Sequence, residues 1–253
     1  MKTEPYRLGL VSVSFRKHTP REILEAAKES GLSCIEWGSD VHAPCYDAER
    51  LREISALQAE YGMICSSYGT YFRLGETPLE ELGAYIRVAK CLGTDILRLW
   101  CGTKSGADYT DAEKRELIAQ CKSAAALASA SGVTLCMECH KNTYTQYLSD
   151  ALALMRTVDS PHFQMYWQPF QWQSIEENLA YAKEIAPFAQ HVHVFQWKGK
   201  ERFSLCQGIE EWRSYLRCFS TPRTLLLEFM PDDSICSLEN EARALREIIG
   251  ESK

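Results

Sequence analysis

Acids and imidazoles recur at the ends of apolar runs in this chain, and they set what chemistry it could do. The clearest case is Val133-Thr134-Leu135-Cys136-Met137-Glu138-Cys139-His140, which follows Gly132. A short apolar run after a glycine reads as a buried strand. Side chains alternate faces along a strand. Val133, Leu135 and Met137 therefore point one way, and Thr134, Cys136, Glu138 and His140 the other. A carboxylate and an imidazole share one face at the C-terminal end. Other runs finish in the same manner: Glu36-Trp37 with Asp40 and His42 beyond, Ser66 and Tyr68, Arg98 and Trp100, Trp167-Gln168-Pro169, His191 and His193, and Glu228.

Glu138, Gln168, His193 and Glu228 fall on four successive runs of this kind. Two carboxylates, an amide oxygen and an imidazole form a mixed oxygen and nitrogen set that suits Mn²⁺, Mg²⁺, Co²⁺ or a similar ion. The competing reading is a hydrogen-bonded polar plug, and four adjacent strand ends favour a site over a plug. Arg98 has two readings of equal weight: a bidentate grip on a substrate carboxylate or phosphate, or neutralisation of Glu138 or Glu36. Trp100, Trp167 and Trp172 could wall a sugar face, although the outward parity of Trp167 assigns it to the core. Lys198, Lys200 and Arg202 read as a solvated loop from which one cation could reach inward. No GxSxG elbow and no glycine-rich phosphate loop is present, which argues against a serine hydrolase or a nucleotide-binding fold.

One unit, repeated eight times, must position these groups. The strands are Leu8 to Val13, Leu32 to Trp37, Met63 to Tyr68, Ile96 to Trp100, Val133 to His140, Phe163 to Trp167, His191 to Phe195 and Thr224 to Glu228. Helices lie between them. Capping-box patterns open four: Thr19 with Glu22, Thr77 with Glu80, Thr110 with Glu113 and Ser174 with Glu177. Gly31, Gly62, Gly93 and Gly132 stand where helices stop. Strict alternation predicts parallel strands with right-handed crossovers. Eight units in 253 residues predict one (β/α)8 barrel spanning residues 1–253, with its chemistry at the C-terminal ends of the strands.

Composition narrows the function classes. Hydrophobic content of 45% and charged content of 25% are ordinary for a globular protein. A net charge of −6 gives nucleic acid no electrostatic footing. No apolar run approaches the ~20 residues that a membrane span needs. Met1-Lys2-Thr3-Glu4-Pro5 does not read as a secretory leader. Eleven scattered cysteines, an odd number, suit a reducing compartment, and a cytoplasmic location is expected. Cys136 and Cys139 have CxxC spacing, but opposite parity separates them on a strand.

Together these motifs resemble the xylose isomerase-like barrels: sugar isomerases and epimerases, hydroxypyruvate isomerase, inosose dehydratase and the endonuclease IV relatives. The resemblance rests on Ile35-Glu36-Trp37-Gly38, Ser67-Tyr68-Gly69-Thr70-Tyr71, Glu138-Cys139-His140, Tyr166-Trp167-Gln168-Pro169, His191-Val192-His193-Val194 and Leu226-Leu227-Glu228-Phe229. It implies a divalent metal (Mn, Mg, Co or Zn) held by Glu138, Gln168, His193 and Glu228. It also implies proton transfer by the two glutamates. Glu36, His42, Tyr68, Arg98, Trp100, His140 and Arg202 are then the candidate substrate contacts. Two positions depart from the pattern: Gln168 replaces an Asp and Gln171 a His. The first removes a negative charge from the ligand set and should weaken metal affinity. The substrate-binding Arg beyond strand seven falls on Gly199, leaving Arg202 or Lys198 to substitute.

The expected function is a metal-dependent isomerase or epimerase of a small sugar or sugar derivative, working through an enediolate. The alternatives are a dehydratase or lyase on a related polyol or keto-sugar, which begins with the same enolisation, and a sugar-binding barrel without catalysis. The partner expected is a small carbohydrate, with no nucleic acid and no membrane; homo-oligomerisation is an open expectation. A DNA-repair role would need more metal ligands than six histidines and Gln168 supply.

Overall fold

The computed structural model describes residues 6–219 and 223–250; the leader reading of Met1–Pro5 lies outside them. Eight parallel strands close into a barrel in chain order. They are β1 (Arg7–Val11), β2 (Cys34–Gly38), β3 (Ile64–Leu74), β4 (Ile96–Cys101), β5 (Thr134–Glu138), β6 (Phe163–Trp167), β7 (Ala189–Val194) and β10 (Thr224–Leu227). A short antiparallel hairpin, β8 (Gln196–Lys198) and β9 (Glu201–Phe203), follows β7. Helices α1 (Pro20–Glu29), α2 (Ala48–Tyr61), α3 (Leu82–Leu92), α4 (Asp111–Ser131), α5 (Leu148–Val158), α6 (Ile175–Ile185), α7 (Ile209–Leu216) and α8 (Leu238–Ile249) alternate with the barrel strands. The (β/α)8 barrel expected from the alternation is the observed fold. No helix among the described residues is long and apolar enough to cross a membrane.

Local sequence explains most of the boundaries. Reciprocal capping boxes open α1, α4 and α6 at Thr19, Thr110 and Ser174, each satisfying backbone N–H groups that the first helical turn leaves unpaired. The box expected at Thr77 does not form. β3 runs on to Leu74, well past the expected end at Tyr68. The Thr77 hydroxyl instead accepts from the Arg73 N–H at 3.1 Å, and a 3₁₀ turn at Leu79–Glu81 leads into α3. Lys198 and Arg202, read as loop, belong to the β8–β9 hairpin.

The core has two layers. The outer one lies between strands and helices and holds Trp167, packed on Tyr215 at 5.2 Å and Trp212 at 6.0 Å, as its outward parity requires. The inner one fills the barrel axis with Val11, Cys34, Cys136, Tyr166 and Leu226. Cys136 and Cys139 belong to different layers, so their spacing makes no site. Alternation fails at two positions. Tyr68, read on the inward face with Ser66, turns outward onto Tyr85 of α3 at 6.3 Å. Phe229, which alternation would place outward with Leu225 and Leu227, has φ +53°. This left-handed conformation is rare for a bulky residue. It turns the ring inward, onto the inner layer and the barrel mouth. Ser14 Oγ holds the turn by accepting from the Phe229 N–H at 2.9 Å.

Candidate active site

Strand register sets the site. β2 lies beside β3 with Glu36 opposite Ser67, and β3 beside β4 with Gly69 opposite Arg98. Irregularities in both pairings fall next to these residues, where bulges commonly re-aim side chains. The Ser67 hydroxyl donates to Glu36 Oε2 at 2.9 Å. Arg98 Nε donates to Glu36 Oε1 at 3.0 Å, and Arg98 Nη1 to Glu138 Oε2 at 2.6 Å. The Trp100 indole N–H donates to the same Glu138 oxygen at 2.6 Å. Glu138 Oε1 stays clear of both donors. Gly69 makes the arrangement possible: a Cβ there would stand 2.5 Å from Glu36 Oε1 and 2.9 Å from Arg98 Nη2. The requirement is space, since a Gly69 side chain would occupy the ion pair's position.

On the other side stand Gln168, His193 and Glu228. His193 Nδ1 lies 3.0 Å from Gln168 Oε1, 3.5 Å from Glu228 Oε2 and 3.8 Å from Glu138 Oε1. Its Nε2 faces Glu36 Oε2 at 3.5 Å. The edge of the Tyr166 ring supports both His193 (5.0 Å) and His191 (5.1 Å). The structure thus gathers Glu138, Gln168, His193 and Glu228 about one imidazole nitrogen.

The charges are unevenly placed. Three buried carboxylates, Glu36, Glu138 and Glu228, face two cationic groups, Arg98 and His193. Burial opposes charge on Glu36 and Glu138, but Arg98 outweighs it and holds both below the ordinary carboxylate range, with His193 contributing to each. Burial opposes charge on His193 as well, yet Glu228, Glu36 and Glu138 raise it to about 9. Glu228 is left with the surplus. Burial pushes its pKa up, and the neighbouring Glu138 charge adds to the rise beyond what His193 offsets. Two acids with pKa values driven apart form an acid–base pair.

A cavity of about 210 Å³ opens over this cluster. Arg98, Trp100, Glu138, His140, Gln168 and Glu228 reach it, and Tyr71, Phe195, Trp197 and Phe229 supply aromatic wall. The remaining expected substrate contacts lie elsewhere. Glu36 is fully buried beneath Arg98. Tyr68 is fully buried and donates to the Ala43 carbonyl at 2.7 Å. His42 is buried between Ser12 Oγ and the His18 carbonyl. Arg202 pairs with Asp233 and lies over the Trp197 and Phe229 rings at 4.8 and 5.1 Å. Glu36 and Tyr68 were expected at the mouth as strand-end residues, His42 as a residue just beyond a strand and Arg202 as a substitute cation beyond strand seven; each finds its partners below, behind or beside the cavity. Trp100 reaches the mouth with little free ring face: Arg73 lies over it at 4.6 Å and His140 stacks near it at 5.2 Å. Of the two readings of Arg98, neutralisation is the one observed, of both Glu36 and Glu138.

Sequence reasoning missed four contributors: Ser67, Gly69, Tyr166 and the indole of Trp100 as a donor to Glu138. Inward parity could have flagged Tyr166, whereas Ser67 faces inward only because the irregularity between β2 and β3 shifts the alternation that paired Ser66 with Tyr68. Gly69 had no signal, because its role appears only when β3 and β4 are in register.

A parallel barrel with a buried acid–base cluster at its C-terminal mouth defines a class of barrel enzyme. The chain belongs to the xylose isomerase-like TIM barrel family, whose model matches residues 24–248. It is 24% identical over 198 residues to 3-dehydroshikimate dehydratase of Bacillus anthracis, covering 74% of this chain and 70% of that one. The crystal structure of the probable 3-DHS dehydratase AsbF from Bacillus anthracis superposes with a TM-score of 0.81 at 18% identity, covering 94% of this chain and 98% of that one. D-psicose 3-epimerase, determined in the presence of D-fructose, gives 0.72 at 15% identity over 96% and 99%. IolI protein with a bound zinc atom gives 0.77 at 12% identity over 97% and 98%.

Proposed function

We propose that this chain is an acid–base enzyme that removes the proton beside a carbonyl in a small polyhydroxylated substrate and completes the reaction by elimination. The observation that carries this reading is the divergence of Glu138 and Glu228 at one cavity. Arg98 and Trp100 both hold Glu138 Oε2, so Oε1 is the oxygen free to accept a proton. Burial shifts Glu228 toward its protonated form, from which it can deliver a proton to a departing hydroxyl. Likeness in sequence to a dehydratase favours elimination. Isomerisation or epimerisation of a small sugar is the second reading. It is supported by the position of both carboxylates beside His193, where a proton taken by one can be returned by the other.

Glu138, Gln168, His193 and Glu228 would hold a divalent cation, Mn, Mg, Co or Zn. Ligands about 2.0–2.2 Å from one ion stand roughly 3.0–3.6 Å apart at right to tetrahedral angles. The separations about His193 Nδ1, from 3.0 to 3.8 Å, are close to that range. Among the described residues no group of three or more His, Cys, Asp and Glu is placed to hold an ion, and Gln168 would add a neutral amide oxygen to Glu138, His193 and Glu228. When bound, such an ion polarises the substrate carbonyl and offsets the charge that develops on it.

The test is reaction in D₂O with 3-dehydroshikimate and with D-fructose, with and without added Mn²⁺, Mg²⁺ or Zn²⁺. Water loss from 3-dehydroshikimate is expected, with the hydrogen beside the carbonyl released to solvent, and it should collapse in Glu138→Gln and Glu228→Gln. Deuterium entry without water loss selects the isomerase reading. Absence of both under every metal condition overturns both readings.

A further inference from the structure

We infer that the site has a second compartment that takes a further sugar ring joined to the reacting unit, an inference that rests on the enolising reading above. A cavity of about 320 Å³ adjoins the mouth cavity and shares Gln171, Phe195 and Trp197 with it. Small-molecule sites usually enclose ~300–1,000 Å³. The mouth cavity, at about 210 Å³, falls below that range alone and within it when joined to its neighbour.

The chemistry of the second compartment suits a sugar. Trp172 forms part of its wall and is 48% exposed. Phe170 packs against that ring at 5.6 Å and Lys141 lies over it at 5.1 Å. A large half-bare ring in a concave wall offers a stacking face. The side chains of Gln171 and Gln173, also in this wall, make no hydrogen bond among the described residues. A pyranose matches this combination, since its C–H face stacks on an indole while its hydroxyls take amide groups.

A rival direction for the substrate is a cavity of about 270 Å³ on the other flank, beside Arg16, Lys17 and Arg202. Its two arginines are already engaged. Arg16 pairs with Asp40 at 2.6 Å and Arg202 with Asp233, so of its three cations only Lys17 is without an ion pair among the described residues.

The test compares D-fructose with isomaltulose, which carries a glucosyl ring on the fructose unit. Calorimetry should show isomaltulose binding about two- to tenfold more tightly, the worth of one stacking contact. That ratio should fall toward one in Trp172→Ala, which removes the stacking face, and in Ile175→Trp, which fills the compartment from its rim. Thermal melts establish that both variants fold. Equal affinities in the wild type, no binding of either sugar, or a ratio that neither variant moves would overturn the compartment. Deuterium exchange in the same samples tests the underlying reading separately. Exchange without preference for isomaltulose removes only the compartment, and preference without exchange removes only the enolising chemistry.

Discussion

The two sides of the barrel mouth are built differently. On the β2–β5 side, Glu36, Ser67, Arg98, Trp100 and Glu138 are joined by hydrogen bonds of 2.6–3.0 Å. On the β6–β10 side, only the contact of His193 with Gln168 is that short, and Glu228 stands 3.5 Å from the imidazole. The first side is a closed network whose members are fixed by one another. The second keeps unspent hydrogen-bonding capacity facing the cavity. A rigid half that sets geometry and a looser half that can receive a proton, an ion or a substrate oxygen is a sensible division for catalysis.

The largest effect should come from breaking the closed side. Arg98→Met leaves Glu36 and Glu138 buried without their shared cation, and should cost about 3–5 kcal/mol of unfolding free energy in urea titration at neutral pH. Adding Glu36→Gln should restore part of the loss, because one uncompensated charge is gone. A crowding test on the same side should cost less. Gly69→Ala forces its new methyl group against Glu36 and Arg98, and overpacking of that kind costs about 1–3 kcal/mol, read in the same titration.

The open side should answer with the opposite sign. The folded state binds the Glu228 proton more tightly than the unfolded chain does. Wild-type stability should therefore fall as pH rises from the ordinary carboxylate range through the raised pKa. Glu228→Gln removes the Glu228 part of that dependence and leaves the part due to His193, whose raised pKa acts in the same direction. In chelator-treated protein, calorimetric melts should show the variant at least as stable as wild type near pH 7.5, with its advantage gone at pH values below the ordinary carboxylate range. A variant that is less stable at pH 7.5 would mean that the open side is as tightly committed as the closed one.

The sequence made the barrel legible because periodicity and caps are local. Thr19, Thr110 and Ser174 announce their helices without reference to anything distant. Strand parity was legible for the same reason, and it was enough to bring Glu138, Gln168, His193 and Glu228 to one end of one interior. What parity cannot convey is depth. Glu36 follows the rule for mouth residues, yet Arg98 covers it; Tyr68 breaks the rule, because the irregularity between β2 and β3 turns it outward beside Trp37. Depth depends on register between neighbouring strands and on which partner reaches a group first. Thr77 fails as a cap for a related reason: its helix signal was sound in isolation, but β3 extended across it.

Phe229 sets backbone cost against side-chain packing at a single position. A left-handed backbone costs a residue with a side chain about 1–2 kcal/mol, and glycine would relieve it. Glycine would also delete the ring that contacts Trp197 at 5.5 Å and lies under Arg202, which ties the β8–β9 hairpin to the end of β10. Phe229→Gly would recover the backbone cost and forfeit the packing of the ring together, so the hairpin beside the cavity would lose its anchor whichever way the melting temperature moved.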